Sequence, residues 1–296
     1  MPLVAAIQFA SGPQVSANLN EAARLIGNAA DSGAELVVLP ENFAIMPLKD
    51  ADRLAVVENE GHGPIQDFLS EQARLHRIWL VGGTIPFAAI NKDKVRAACL
   101  LYNDRGERVA RYDKIHLFDV SLDNGEQYQE SRTIEAGDKP VVANTPWGGL
   151  GLAVCYDLRF PELFRELLDQ GAEMFAVPAA FTAHTGKAHW DVLVRARAIE
   201  NLSFVVASAQ GGYHVNGRET HGNSMIVSPW GEVLDRLERG AGFVIADCNR
   251  GHLQSVRTSL PSIQHRRVRC AGRSSVAGAP SGEAHTARRN AGSDRS

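Results

Sequence analysis

A cysteine, a glutamate and a lysine in this sequence stand beside apolar or strand-like runs. Cys155 closes the run Gly151-Leu-Ala-Val-Cys155 and leads into Tyr156-Asp157-Leu158-Arg159-Phe160-Pro161-Glu162. Glu41 lies in Leu39-Pro40-Glu41-Asn42-Phe43, and Lys114 in Arg111-Tyr112-Asp113-Lys114-Ile115-His116. A thiol attacks carbon as its thiolate, so it needs a base. Moving a proton from a thiol (pKa ~8.5) to a glutamate (pKa ~4.3) costs about 6 kcal/mol in water. A neighbouring ammonium lowers that cost, and burial raises the proton affinity of the carboxylate. Together the three residues describe an acyl-transfer site with Cys155 as nucleophile, Glu41 as base and Lys114 as fixed cation. Lys114 and the Tyr156 N–H are the expected oxyanion donors. Strand alternation puts Tyr112, Lys114 and His116 on one face, with Ile115 behind.

Each residue also has a plainer reading. A buried cysteine is structural more often than catalytic, Glu41 could cap a helix, and Lys114 could be a surface charge. Arg159 either binds a substrate carboxylate through a bidentate contact or pairs with Glu162. Phe181 and Thr182 are expected to line the pocket, although Phe181 also suits the core. His184, His189 and Arg195 are further polar candidates, the last two on a helix that could turn them to solvent. Arg218 and His221 fall in a glycine-rich stretch, residues 211–222, that either closes over the site or only connects strands.

The elements that must position these groups follow from hydrophobic periodicity. Residues 4–7 predict a buried strand. Asn18 with Glu21 reads as a capping box opening a helix that carries Leu19, Ala22, Ala23, Ile26, Ala29 and Ala30 and stops at Gly33. Residues 36–39 are apolar throughout, as in a strand covered on both faces. The pattern recurs with a strand over 149–154, a helix from Pro161 and a strand over 174–177. Gly33-Ala-Glu-Leu-Val-Val-Leu-Pro40 and Gly171-Ala-Glu-Met-Phe-Ala-Val-Pro178 align position by position, which implies two related β-α-β halves. Between them come a helix with Ile65, Phe68, Leu69 and Leu75, a strand over 79–82, and a hairpin turning at Asn103-Asp-Arg-Gly106. Later follow a helix with Trp190, Leu193, Val194 and Ala198, and strands over 204–208, 225–227 and 232–237. Alternating helices and strands with inserted hairpins imply a layered α/β fold.

The chain has 296 residues, 44% hydrophobic and 22% charged, with a formal net charge of −3. That balance suits a globular protein and gives no reason to expect nucleic acid or a membrane as partner. Cys99, Cys155, Cys248 and Cys270 form no C-x-x-C pair, so neither a metal site nor a disulfide framework is expected. The first residues lack the basic flank and length of a signal peptide. A cytoplasmic enzyme without cofactor is the expectation. Residues 1–268 read as one catalytic domain. Residues 269–296, small, polar and basic, read as a disordered tail.

Three segments together resemble the nitrilase, or carbon–nitrogen hydrolase, superfamily. They are Leu39-Pro40-Glu41-Asn42, Tyr112-Asp113-Lys114-Ile115-His116-Leu117-Phe118 and Val154-Cys155-Tyr156-Asp157-Leu158-Arg159-Phe160-Pro161-Glu162. The likeness covers residues 4–267 and implies an αββα sandwich that dimerises into four layers. It implies catalytic Glu41, Lys114 and Cys155, and a supporting Glu130 in Tyr128-Gln129-Glu130-Ser131. Phe181-Thr182, Thr185-Gly186-Lys187-Ala188-His189-Trp190, the runs 195–201 and 221–225, and Leu260-Pro261 with His265-Arg266-Arg267 resemble the branch of amidases acting on deaminated glutathione. The implied reaction is hydrolysis of an amide in a small carboxylated substrate, through a thioester and with ammonia released. Alternatives are an ω-amidase, an N-carbamoyl amino acid hydrolase, a nitrilase, a non-catalytic scaffold or a redox thiol.

Overall fold

β1 (Leu3–Gln8) is buried on both faces, and its alternation sorts the layers. Val4 and Ala6 join one apolar cluster, while Ala5 and Ile7 join another. A strand of this kind must lie between two packed layers. The computed structural model describes residues 2–268, and the tail read from the sequence lies outside them.

After β1 come α1 (Val15–Asp31), β2 (Leu36–Val38), α2 (Pro64–His76), β3 (Trp79–Val81), β4 (Ile85–Ala88), β5 (Val95–Tyr102) and β6 (Arg108–Asp113). A small hairpin, β7 (Asp119–Ser121) and β8 (Gln127–Gln129), follows. The second half holds β9 (Val141–Thr145), β10 (Gly148–Leu152), α3 (Pro161–Asp169), β11 (Ala172–Ala179), α4 (Ala183–Asn201) and β12 (Phe204–Ala209). It closes with hairpin β13 (Gly211–Tyr213) and β14 (Glu219–His221), then β15 (Ser224–Val227), β16 (Val233–Leu237), β17 (Gly242–Asp247) and α5 (Arg250–Ser259).

One sheet runs β17-β1-β2-β3-β5-β4, with β6 also paired to β5; the other runs β16-β15-β12-β11-β10-β9. Each has three parallel strands at its centre, β1-β2-β3 and β10-β11-β12. The two β-α-β halves inferred from the repeated octet are therefore present, with β2 beside β1 as β11 is beside β10. Leu25 and Ile26 of α1 and Leu69 of α2 cover the first sheet. The other cluster runs from Val4, Leu36 and Val38 through Leu152 and Val206 to Phe164, Leu167 and Trp190 of α3 and α4. Gly151 leaves room for Leu167 and Phe175, and Phe175 meets Phe164 edge-on at 5.1 Å. The result is an αββα sandwich.

One start signal was misread. α1 begins at Val15, and Asn18 lies inside its first turn, buried. Its side chain accepts the Gly12 N–H at 2.8 Å and donates to the carbonyls of Gly12 and Ala44. An asparagine able to cap a helix instead ties down the loop after β1 and the loop after Glu41. β17, overlooked in the sequence although Phe243-Val-Ile-Ala246 is an unbroken apolar run, completes the first sheet antiparallel to β1.

The sandwich brings strand ends to one crevice. Glu41 follows β2, Lys114 follows β6, Cys155 follows β10, and Phe181 and Thr182 follow β11. The Glu41 loop is seated by the segment after β3. Gly83 has φ +52, and a Cβ there would lie 2.1 Å from the Pro40 carbonyl oxygen. The next residue, Thr84, accepts the Asn42 N–H at 2.9 Å through Oγ1. Gly83→Ala is therefore expected to destabilise the protein by about 1–3 kcal/mol from the left-handed backbone alone, with the clash added. Chemical denaturation measures the loss. An unchanged midpoint and slope would show that this close approach is not needed.

Candidate active site

Two carboxylates hold one buried ammonium at the floor of the crevice. Lys114 Nζ donates to Glu41 Oε1 at 2.7 Å and to both oxygens of Glu130 at 3.0 and 2.9 Å. The lysine is 2% exposed and Glu41 4%. Burial alone would push the ammonium pKa down; the charges of Glu130 and Glu41 outweigh it and hold that pKa above the usual lysine range. Lys114 is therefore a permanent cation at any working pH. Glu130 also accepts the Phe118 N–H at 2.6 Å, so it fixes the chain that leaves Lys114.

Cys155 is buried with its backbone at φ 49, and Asn42, next to Glu41, has φ 58. Residues with a side chain rarely adopt this region, and such strain gathers at functional sites. The Ala180 N–H points at Cys155 Sγ from 3.5 Å. Glu41 and Cys155 line the same crevice. Burial pushes the Cys155 pKa well above its ordinary value and Glu41 adds to the rise, while Lys114 and the Ala180 N–H pull downward and are outweighed. The resting group is a neutral thiol facing a carboxylate. The expectation that the lysine favours the thiolate has the right direction, but burial and Glu41 prevail.

Tyr156 is the second residue of the short turn Cys155–Arg159, and its N–H meets no acceptor among the described residues. The Arg159 guanidinium lies 5.7 Å from the Tyr156 ring and 5.4 Å from the Phe181 ring, with Nη1 3.3 Å from His189 Nδ1. Among the described residues it pairs with no carboxylate, so the alternative partner Glu162 is not used. Phe181 lines the crevice and meets Trp190 edge-on at 5.0 Å, so it serves pocket and core at once. Thr182 also lines the crevice, but its Oγ1 caps α4 by accepting the Thr185 N–H at 3.2 Å. Arg195 turns away, donating to the Gly231 carbonyl. His184 contacts exposed Asp123, and His221 packs beside Gly186. The crevice spans about 570 Å3 when the open space at its mouth is included.

Sequence reasoning missed Asp157. It is fully buried and accepts the Tyr112 hydroxyl at 2.7 Å, the Val154 N–H at 2.8 Å, the His116 N–H at 3.2 Å and His116 Nδ1 at 2.6 Å. Tyr112 and His116 bracket Lys114, while Val154 and Asp157 bracket Cys155. One carboxylate thus clamps the Cys155 turn to the Lys114 segment. Gln210 was missed too; its amide donates to the Glu41 carbonyl at 2.9 Å and to Ser11 Oγ. Both belong to long-range contacts that no local pattern displays.

The chain matches the profile of the family described as Carbon-nitrogen hydrolase over residues 3–258. A deaminated glutathione amidase from Synechocystis is 44% identical over 89% of this chain and 97% of its own length. Nit3 of Saccharomyces cerevisiae, a member of branch 10 of the nitrilase superfamily, superposes with a TM-score of 0.82. It is 31% identical, covering 90% of this chain and 97% of that one. A glutamate-to-glutamine mutant of the amidase from Nesterenkonia sp. AN1, with acrylamide joined by Michael addition to the active site cysteine, has a TM-score of 0.74. It is 26% identical, covering 88% of this chain and 99% of that one.

Two outcomes follow from the geometry. Asp157→Asn puts an amide N–H2 or a weaker acceptor where donors converge, so stability should fall by about 2–4 kcal/mol; a denaturation midpoint equal to wild type contradicts the clamp. The rate of Cys155 alkylation by iodoacetamide should keep rising with pH above the ordinary cysteine range. A plateau near neutral pH would mean a resting thiolate.

Proposed function

The chain belongs to the carbon–nitrogen hydrolase family, and from that premise we propose the roles of its site residues and its substrate. It is a cysteine-dependent amidase. Cys155 is the nucleophile, Glu41 the general base and acid, Lys114 and the Tyr156 N–H the oxyanion donors, and Glu130 the anchor of Lys114. The observation that carries these roles is that Cys155, Glu41 and Lys114 line one crevice, with Lys114 bonded to Glu41 at 2.7 Å.

The reaction then runs in two halves. Glu41 accepts the Cys155 proton as sulfur attacks the amide carbon. The negative charge moves to the carbonyl oxygen, where a fixed cation and a backbone N–H are already aimed and need no reorganisation. The tetrahedral adduct collapses as Glu41 returns the proton to the departing nitrogen, leaving a thioester on Cys155. Glu41 next takes a proton from water, the hydroxyl attacks the thioester, and the acid leaves with the thiol restored.

Deaminated glutathione is the substrate this reading favours, since the Synechocystis relative carries that name. It supplies a carboxylate for Arg159, with Phe181 and Thr182 as walls. The nitrogen released follows from the substrate. A primary amide yields ammonia, as expected from the sequence, whereas the secondary amide of deaminated glutathione yields the amine of cysteinylglycine. Val192 and Ile199 on α4, with Trp230, are exposed apolar residues that favour a homodimer. Buried free Cys99, Cys155 and Cys248 suit the reducing cytoplasm. No helix of the described residues is long and apolar enough to cross a membrane.

Cys155→Ala should lower turnover by on the order of 10⁴-fold or more while the protein stays folded. Wild-type activity in that variant would refute the nucleophile. In a panel of deaminated glutathione, α-ketoglutaramate, a carbamoyl amino acid and a simple nitrile, kcat/KM should be highest for the first by roughly tenfold or more. Product is read as free amine or ammonia according to the substrate. A higher value for any other member would replace this substrate.

A further inference from the structure

The crevice contains more positive charge than its own carboxylates neutralise. Lys114 takes Glu41 and Glu130, and Arg53 pairs with Asp50 at 2.7 Å. Arg159 and Arg218 also line the crevice, and among the described residues neither pairs with a carboxylate. Half-buried cations left this way are costly unless a ligand brings the counter-charge.

Arg218 is held in place. Its Nη2 donates to the Ala180 carbonyl at 3.2 Å, and its guanidinium lies 4.9 Å from the Tyr128 ring. Its Nε is sealed from solvent without a hydrogen-bond partner. The hairpin that carries it is pinned below by His214. That buried ring bonds the Ser11 carbonyl at 2.9 Å and Thr220 Oγ1 at 2.8 Å, and the His214 N–H donates to the Arg218 carbonyl. The Asn216 amide donates to the Pro47 carbonyl. The stretch 211–222 is therefore a braced wall of the crevice.

Ala180, gripped by Arg218, is also the residue whose N–H reaches Cys155 Sγ. Arg159 approaches the neighbouring Phe181 ring. The two guanidiniums thus meet consecutive residues beside the nucleophile. This geometry points to a second carboxylate site at Arg218, complementing Arg159, for a substrate with a carboxylate on each side of the scissile amide. The inference rests on the amidase reading above and narrows its substrate class to dicarboxylate amides. Deaminated glutathione fits, with a keto-acid carboxylate on the acyl side and a glycine carboxylate on the leaving side. Arg218 is assigned to the leaving side and Arg159 to the acyl side.

The test crosses one change in the protein with one in the substrate. Wild type and Arg218→Gln are assayed on deaminated glutathione and on its glycine N-methylamide, which lacks the leaving-side carboxylate. Loss of a charge-assisted contact should lower wild-type kcat/KM on the methylamide roughly 10- to 100-fold. Arg218→Gln should lose a similar factor on the acid and little more on the methylamide. If wild type treats both compounds alike, or if the variant loses equally on both, Arg218 does not read this carboxylate. Should Arg218→Gln fail to fold, Arg218→Lys takes its place, and the wild-type comparison decides without either. If wild type hydrolyses neither compound, the substrate reading fails, and calorimetry on Cys155→Ala separates the two ideas. Tighter binding of the acid than of the methylamide, lost on adding Arg218→Gln, keeps the second site; equal binding or none overturns it.

Discussion

The site is organised around one ammonium taken out of water. Lys114 stands between Glu41 and Glu130, nearly inaccessible, and each of the three is committed to the others. A buried charge is tolerated only when paired and hydrogen-bonded, so the lysine cannot leave without stranding two carboxylates. That mutual dependence makes the Glu41 carboxylate a fixed object. The Cys155 thiol faces it as an acid faces a base, with burial keeping the proton on sulfur at rest. In the proposed reaction a developing oxyanion would add negative charge beside the same lysine, which is where a preorganised cation does most to lower a barrier.

The backbone serves that arrangement. Cys155 and Asn42 are held at positive φ, and Gly83 lets the chain after β3 touch Pro40. Asp157 joins the turn bearing Cys155 to the segment bearing Lys114, and Gln210 holds the Glu41 carbonyl from a third direction. These supports come from both sheets of the sandwich. Glu41, Lys114 and Cys155 hang from strand ends that only the packed αββα core brings together.

Much of this was legible in the sequence. Glu41, Lys114 and Cys155 were readable as a cluster because thiol, carboxylate and ammonium have complementary chemistry and stand in distinctive runs, whereas Glu130 came only from the family resemblance. The layered fold was readable because unbroken apolar strands need cover on both faces. Asp157 was quoted within the cysteine segment, yet its partners Tyr112 and His116 lie over forty positions away, and local periodicity carries no such information. Asn18 misled for a related reason: a side chain able to cap a helix was used for tertiary contacts with Gly12 and Ala44. For Arg218 the sequence left a closing loop and a passive connection open. The neutral His214 beneath it, which braces the hairpin, shows only in three dimensions.

The central claim is that Glu41, held by the buried lysine, removes the proton from Cys155. Intact-protein mass spectrometry after rapid mixing with an amide substrate, followed by peptide mapping, addresses it directly. Wild type should gain the mass of the acyl group on the peptide containing Cys155, with the amine already released. Glu41→Gln, similar in shape but unable to take the proton, should gain none on that timescale. Acylation of Glu41→Gln at the wild-type rate, or acyl mass on a peptide lacking Cys155, would contradict the account.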